Sequence, residues 1–410
     1  QLGKIAHSSA LGFANEPASL LAAKLVGMAN RDGVRTKPNS KLAIRGPQLV
    51  KVFFSDDGST AMEVALKLAY EFTRRMRGPK TRPRFLSLAG AYHGDTVGAV
   101  SVGHIDLFHK AYGGMLFKTD SVMSPYCYRC PFNRAKPERV DARESRKCNW
   151  ECVGQVEQKC AAARKRGNDY AAFVFEPRMQ GAAGMIPQPS GWLKRVTDIT
   201  RRHKALLVAD EVMTGFGRTG SLFASPSEGV QPDFLALAKG LTGGYLPMAA
   251  TLTTQAVFDA FLGEYEEFKT FFHGHSYTGN QLGAATGLAS LELLNGPAAI
   301  KARTNLATKF GQVLKSLWSL PQIGDVRQAG LVAGIELVRD WRTRKPFDLR
   351  ERAGIRVCEA MARRGVLTRP IGNVVVLMPP YCTTATQLRR MVSALYEAVE
   401  EVFPAAPADG

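Results

Sequence analysis

The sequence is short of acidic residues, poor in cysteine, and free of long apolar runs. Its 36 Asp+Glu stand against 54 Lys+Arg in 410 residues, a formal net charge of +18. No apolar run approaches the roughly 18 residues that a membrane-crossing helix needs, so a membrane partner is not expected. Seven cysteines are too few, and odd in number, for a disulfide scaffold. No basic-then-apolar leader is visible, so the expected compartment is a reducing cytoplasm. The chain opens on Gln1 rather than Met, as a trimmed or partial sequence would. Internal repeats and low-complexity stretches are missing too. With hydrophobic residues at 45% and charged residues at 22%, the composition is that of an ordinary globular protein and excludes disorder as the main state.

The basic excess raises the question of nucleic acid. Residues 201–300 hold 6 Lys+Arg and 9 Asp+Glu, so the excess lies outside that segment. It comes in short clusters at 74–77, 164–166 and 342–345. A nucleic-acid module concentrates charge and interleaves aromatics. Scattered clusters at helix ends and in loops predict a solvated basic surface instead, with no nucleic-acid partner.

A short run at 51–57, KVFFSDD, stops at Gly58, and with the uninterrupted apolar runs at 85–89, 171–175, 206–209, 234–238 and 249–252 it predicts strands buried on both faces. Such strands form a parallel sheet covered by helices. After the first, Ala61, Ala65, Leu68, Phe72 and Met76 recur at helical spacing. Further helices are expected at 191–203, 281–294 and 386–403, with strands at 332–338 and 374–377. The expected fold class is α/β, doubly wound. A segment 1–25 leads into a large domain at 26–290, and a smaller α+β domain occupies 291–410, its last residues 404–410 a frayed tail.

The motif GFGRTG at 215–220 matches a dinucleotide fingerprint, but the next residues, SLFASPSEGVQPD, do not open the helix that fingerprint requires. Four other features carry more chemistry. Asp210 and Glu211 end the run 206–209, at the edge where open α/β sheets bind ligands. Lys239 ends the run 234–238 between Ala238 and Gly240. Partial burial there would depress its pKa and make it a nucleophile for Schiff-base chemistry. Gly58 and Ser59 precede a helix expected to begin near Thr60, a natural anion cradle. Tyr92 and His93, in AYHGD, place an aromatic face and a titratable ring at another strand end. Taken singly, each has a plain structural alternative: cap, snorkelling lysine, Ser/Thr cap and core tyrosine. Together, a nucleophilic lysine, a strand-end aspartate, a phosphate cradle and an aromatic platform describe a pyridoxal phosphate site.

In these stretches the chain resembles the class III (ω-amino) aminotransferases, pyridoxal phosphate enzymes of fold type I. The resemblance rests on DGSTAMEVALK (57–67), GAYHGDT (90–96), EPRMQGAAGM (176–185), DEVMTGFGRTG (210–220), LALAKGLTGGYLP (235–247) and HGHSYTGN (273–280). Within the class, SPYCYRCPF (124–132) and RPIGNVVVLMPPY (369–381) are similar to the biotin-pathway subfamily that makes 7,8-diaminononanoate from 8-amino-7-oxononanoate. The resemblance implies a mostly parallel seven-stranded-type sheet and a smaller C-terminal domain. It implies that Lys239 holds the cofactor and shuttles protons, that Asp210 pairs with the ring nitrogen, and that Val212 and Tyr92 lie on the ring's two faces. Gly58 and Ser59 are implied phosphate ligands. Gly274, His275 and Ser276 would reach the phosphate of a partner's cofactor, in a homodimer with shared active sites. Arg369 would bind the substrate carboxylate, with Tyr92, Gly274 and Lys239 bordering the substrate, and Glu176 and Asp95 are further candidates. The amino donor would be S-adenosylmethionine or lysine. Another class III enzyme, of ornithine, 4-aminobutyrate or diamine type, is the alternative.

Two departures stand out. Family members carry a longer N-terminal segment that supplies part of the substrate pocket and dimer contact. Asp57 stands where the family has Ser or Asn, and would repel a phosphate unless it turns away to cap the helix. Finally, Cys127-x-x-Cys130 and Cys148-x-x-x-Cys152 approach zinc-ribbon spacing, with basic residues between. They would be either a binding module with a structural metal or an insertion, about 124–160, of reduced cysteines. No metal is assigned to the catalytic site.

Overall fold

A computed structural model describes residues 1–5, 7, 8, 10, 12–30 and 46–404. The tail expected at 404–410 lies, from 405 on, outside the described residues. A large sheet has seven strands: β1 Leu49–Ser55, β2 Arg84–Leu88, β3 Asp120–Val122, β4 Tyr170–Phe175, β5 Leu206–Asp210, β6 Phe234–Leu237 and β7 Ala249–Thr254. Their order is β1-β7-β6-β5-β4-β2-β3. Every neighbouring pair is parallel except those of β7, which runs antiparallel to both β1 and β6.

The run at 249–252 is therefore a strand, but not a parallel one. The reason lies in the connection. Residues 238–248 hold only a short 3-10 turn, Lys239–Leu241, and a parallel return needs a crossover of a dozen or more residues. The edge strand β3 has too few residues to show in the sequence pattern.

Both faces of the sheet are covered. On one, the helix Gly58–Arg77 buries Ala61, Ala65 and Leu68 against Val208, Phe234 and Ala236. Met76 does not continue that face: it is 61% exposed, because the helix outruns the sheet. On the other, the helices Glu16–Ala29, Glu151–Lys165, Trp192–Arg202 and Gln281–Asn295 pack Leu21, Val156, Trp192 and Leu291 into a second layer.

A smaller antiparallel sheet follows, with β8 Ile323–Ala329, β9 Val332–Asp340, β10 Pro370–Ile371 and β11 Val374–Leu377 in the order β8-β9-β11-β10. Its own core includes Phe310, Ile335, Val357, Val375 and Leu395, supplied partly by the helices Pro297–Leu314, Ala353–Arg363 and Ala385–Val402. The Cys-containing insertion joins the two bodies. Tyr126 donates to Glu336, Arg129 pairs with Glu336 at 2.9 Å, and Arg139 donates to the carbonyls of Leu320 and Ile323 at 2.6 Å.

Those contacts also account for part of the basic excess. Arg75 and Arg77 donate to the carbonyls of Ala260 and Lys204, and Arg344 to those of Tyr128 and Ala135. These guanidinium groups tie loops together as planar multi-donors, a use of charge that needs no external partner.

Candidate functional site

Because β1, β2, β4, β5 and β6 point the same way, their carboxyl ends share one edge of the sheet, and the candidate residues follow those ends. Asp210 is the last residue of β5 and is buried. Its Oδ1 accepts from the Val212 N–H at 3.0 Å, and its Oδ2 lies 2.8 Å from His93 Nδ1. The other ring nitrogen of His93 is buried without a partner. Sequence reasoning gives His93 no role beyond a titratable ring at a strand end. The signal for more was the motif itself, but the partner lies 117 positions away.

Glu211 turns the opposite way. Its carboxylate accepts from the Ala224 and Ser225 N–H groups at 2.5 and 2.7 Å, so this half of the acidic pair is structural.

The helix begins at Gly58, two residues earlier than the sequence pattern indicates, with Asp57 as N-cap. The Asp57 carboxylate accepts from Thr60 N–H at 2.9 Å while the Thr60 hydroxyl accepts from Asp57 N–H at 3.0 Å. The cap leaves the N–H groups of Gly58 and Ser59, in the first turn, without intrahelical partners. Gly58 is required: a Cβ there would stand 2.6 Å from Val212 Cγ1. The Ser59 hydroxyl accepts from Asp95 N–H at 2.8 Å and Thr96 N–H at 3.2 Å, binding the helix start to the loop after β2. Gly94 permits that approach, since it adopts φ +121° and a Cβ on it would fall 1.9 Å from Ser59 Oγ.

Tyr92 is half-buried. Its hydroxyl donates to Asp95 at 2.9 Å, and its ring lies parallel to His109 and edge-on to Phe108. Burial, reinforced by that hydrogen bond, pushes its pKa up to about 12. Glu176, after β4, is fully buried and accepts from Gly181 N–H at 2.7 Å and Tyr92 N–H at 3.3 Å. Burial lifts its pKa to about 7, with His93 opposing and Asp210 adding to the rise. Tyr92 also feels the positive charge of Arg369, which precedes β10. The smaller sheet thus brings a guanidinium to the edge of the larger one.

Lys239 departs from the sequence expectation. It follows β6, whose Ala236 is in register with Asp210, but its side chain is exposed rather than partly buried. The chain turns so tightly that Lys239 takes φ 41°, in the left-handed region, and Gly240 packs against Phe216. Gly274, His275 and Ser276 are also exposed, and His275 lies 3.5 Å from Asp56. The four cysteines 127, 130, 148 and 152 are free thiols.

The Aminotransferase class-III family model matches residues 1–399. The chain is 46% identical over 402 residues to the adenosylmethionine-8-amino-7-oxononanoate aminotransferase of Geobacter sulfurreducens, covering 98% of this chain and 83% of that one. To the protein of the same name from Methanocaldococcus jannaschii it is 40% identical over 405 residues, with coverage of 98% and 83%. The crystal structure of the M. jannaschii protein superposes with a TM-score of 0.83 at 38% identity, covering 98% of this chain and 83% of that one. An amine transaminase from an uncultivated Pseudomonas species, solved in its PLP-bound form, gives 0.84 at 34% identity, with coverage of 98% and 85%.

Proposed function

The chain belongs to the class III aminotransferases, pyridoxal-phosphate-dependent transaminases, and from that premise we propose that it moves an amino group from S-adenosylmethionine to 8-amino-7-oxononanoate, giving 7,8-diaminononanoate. The observation that carries the proposal is the buried His93–Asp210 pair at a strand end beside an open helix N-terminus.

The donor set suits a phosphorylated pyridine ring. Asp210 offers a carboxylate oriented by His93 and by Val212 N–H, the acceptor that a protonated ring nitrogen requires. Gly58 and Ser59 offer first-turn N–H groups and a hydroxyl proton not used in the three bonds that Ser59 Oγ accepts. Val212 and Tyr92 are the candidates to border the ring. Pyridoxal phosphate, when bound, supplies an electron-withdrawing ring that carries the amino group between two half-reactions.

The remaining roles fall to the chain. Lys239 Nζ, exposed at its strained turn, is the proposed attachment point and the base that takes and returns the substrate proton. The Asp95 carboxylate fixes the Tyr92 hydroxyl, and burial raises its pKa further above neutrality. Arg369 is the proposed ligand of the substrate carboxylate, supported by its field at Tyr92. Gly274, His275 and Ser276 are proposed to complete a partner's phosphate site in a homodimer. Their exposure, and that of Phe272 and Tyr277 beside them, supports this. A cytoplasmic location is supported by seven free cysteines.

The test is product formation from 8-amino-7-oxononanoate with each donor in turn. S-adenosylmethionine should yield 7,8-diaminononanoate. Turnover with lysine alone would change the donor. Turnover only with ornithine or 4-aminobutyrate as donor, and no conversion of 8-amino-7-oxononanoate, would replace the biotin-pathway assignment with a broader ω-aminotransferase.

A further inference from the structure

The Cys-containing insertion has no part in the transamination, yet it is built in an unusual way. Four of the chain's seven cysteines, Cys127, Cys130, Cys148 and Cys152, line one small cavity. The space left at its centre is about 10 Å³, room for a single atom-sized occupant. Two of the four thiols come from the turn 127–130. The third lies in the segment before the helix Glu151–Lys165, and the fourth in that helix's first turn.

Burial opposes ionisation of Cys127 and Cys152, and three features of the surroundings face the sulfurs. Arg146 donates to Cys148 Sγ at 3.2 Å and stacks on Trp150, its guanidinium 3.8 Å from the ring centre. Trp192 is wholly buried and its indole N–H faces Cys152. A thiolate on Cys152 would strengthen that contact. Cys152 also sits at the positive end of a 15-residue helix. The turn that carries the first pair is itself braced: the Asn133 side chain donates to the Cys127 carbonyl at 2.9 Å and accepts from Lys147 N–H at 2.8 Å, tying the two cysteine-bearing strands of the insertion together.

We propose that Cys127, Cys130, Cys148 and Cys152 form a structural site for one soft divalent cation, zinc being the natural occupant. Among the described residues no three His, Cys, Asp or Glu side chains are already drawn together as a metal-holding group, so the sulfurs must turn inward into the cavity they line. On binding, each S–H bond is replaced by a sulfur–metal bond and its proton goes to solvent. There is no change of oxidation state. Four thiolates around a divalent ion leave a doubly negative centre, which Arg146 and the helix terminus partly offset. The site would fix the loop from which Tyr126 and Arg129 reach Glu336, so it would brace the contact between the two sheets.

The test uses the reduced, cofactor-loaded protein. Elemental analysis after dialysis should find one zinc per chain. Cobalt(II) added to the metal-free protein should give thiolate-to-metal charge-transfer absorption together with the visible bands of a tetrahedral centre. Both signals should be lost in Cys130→Ser and in Cys148→Ser, and kept in Cys382→Ser, which alters an exposed cysteine outside the cluster. Because the cobalt titration is done on the unsubstituted chain, a variant that fails to fold does not decide the outcome. No cobalt signal with all thiols reduced would overturn the site. So would metal that persists in Cys130→Ser and Cys148→Ser, or disulfides among these four cysteines in the protein as isolated from the cytoplasm.

Discussion

Two clusters of buried carboxylates, one in each sheet's neighbourhood, are treated differently. At the edge of the large sheet, Glu176 and Asp210 are buried with His93, and among the described residues no Lys or Arg is bonded to them. Burial lifts Glu176 to about 7. At the junction with the smaller sheet, burial would raise Glu336 too, but Arg327 and Arg129, bonded to it, hold it below the usual carboxylate range. Its neighbour Asp325 is pushed by burial to about 6, which Arg327 offsets only in part. Arg327 is itself fully engaged, donating also to the carbonyls of Gly184 and Met185. A cluster that holds two bodies together carries its own counter-charge. The strand-end cluster leaves Lys and Arg out, which is the room for a cation that the proposed function uses; a raised carboxyl occurs in both clusters and does not distinguish them.

The largest expected effect separates chemistry from structure. Lys239→Ala should lower transamination by at least about 10²–10⁴-fold and abolish the visible absorption of lysine-bound cofactor. The melting temperature of the cofactor-free protein should barely move, since the side chain is exposed. An intact absorption band would remove Lys239 from the site.

At the other cluster the order reverses. Arg327→Leu strips a buried carboxylate pair of its cation and should cost about 3–5 kcal/mol in chemical denaturation. Combining it with Glu336→Leu should recover much of the loss. If the double variant is no more stable than the single one, the pairing is not what matters.

A third, smaller effect tests the uncompensated carboxyl. Glu176 has a folded pKa of about 7 against 4.5 ordinarily, so the folded chain holds a proton that the unfolded chain releases. Its contribution to stability is full below pH 4.5 and is lost as pH rises through about 7. Glu176→Gln should flatten stability across that window. An unchanged pH dependence would mean that Glu176 is ionised throughout.

The smallest effect concerns the phosphate cradle. Asp57→Ala removes the helix cap and should cost about 1 kcal/mol. Cofactor affinity should hold or improve, as a negative charge leaves the helix start. A large fall in cofactor affinity would mean that Asp57 does more than cap.

Much of this architecture could be read along the chain, and the failures have particular causes. The helix after β1 was legible because Ala61, Ala65 and Leu68 repeat at its period. Met76 was misassigned because periodicity cannot say where the underlying sheet ends. The strand Ala249–Thr254 was legible as buried but not in its direction, since a run buried on both faces looks the same either way. Burial of Lys239 was wrongly inferred from its small neighbours; in the fold they serve a tight turn against Phe216 rather than a pocket around the amine.

The sequence by itself determined the layered α/β plan, the family, and which strand ends hold the candidate residues, because these rest on local period and on residues within a few positions of one another. Only the tertiary structure decided that His93 orients Asp210, that Glu211 faces away to cap a turn, that the charge of Arg369 in the second body acts on Tyr92, and that four cysteines line one cavity. Each of those depends on contacts between residues far apart in sequence, and no local pattern encodes the distance between two strand ends.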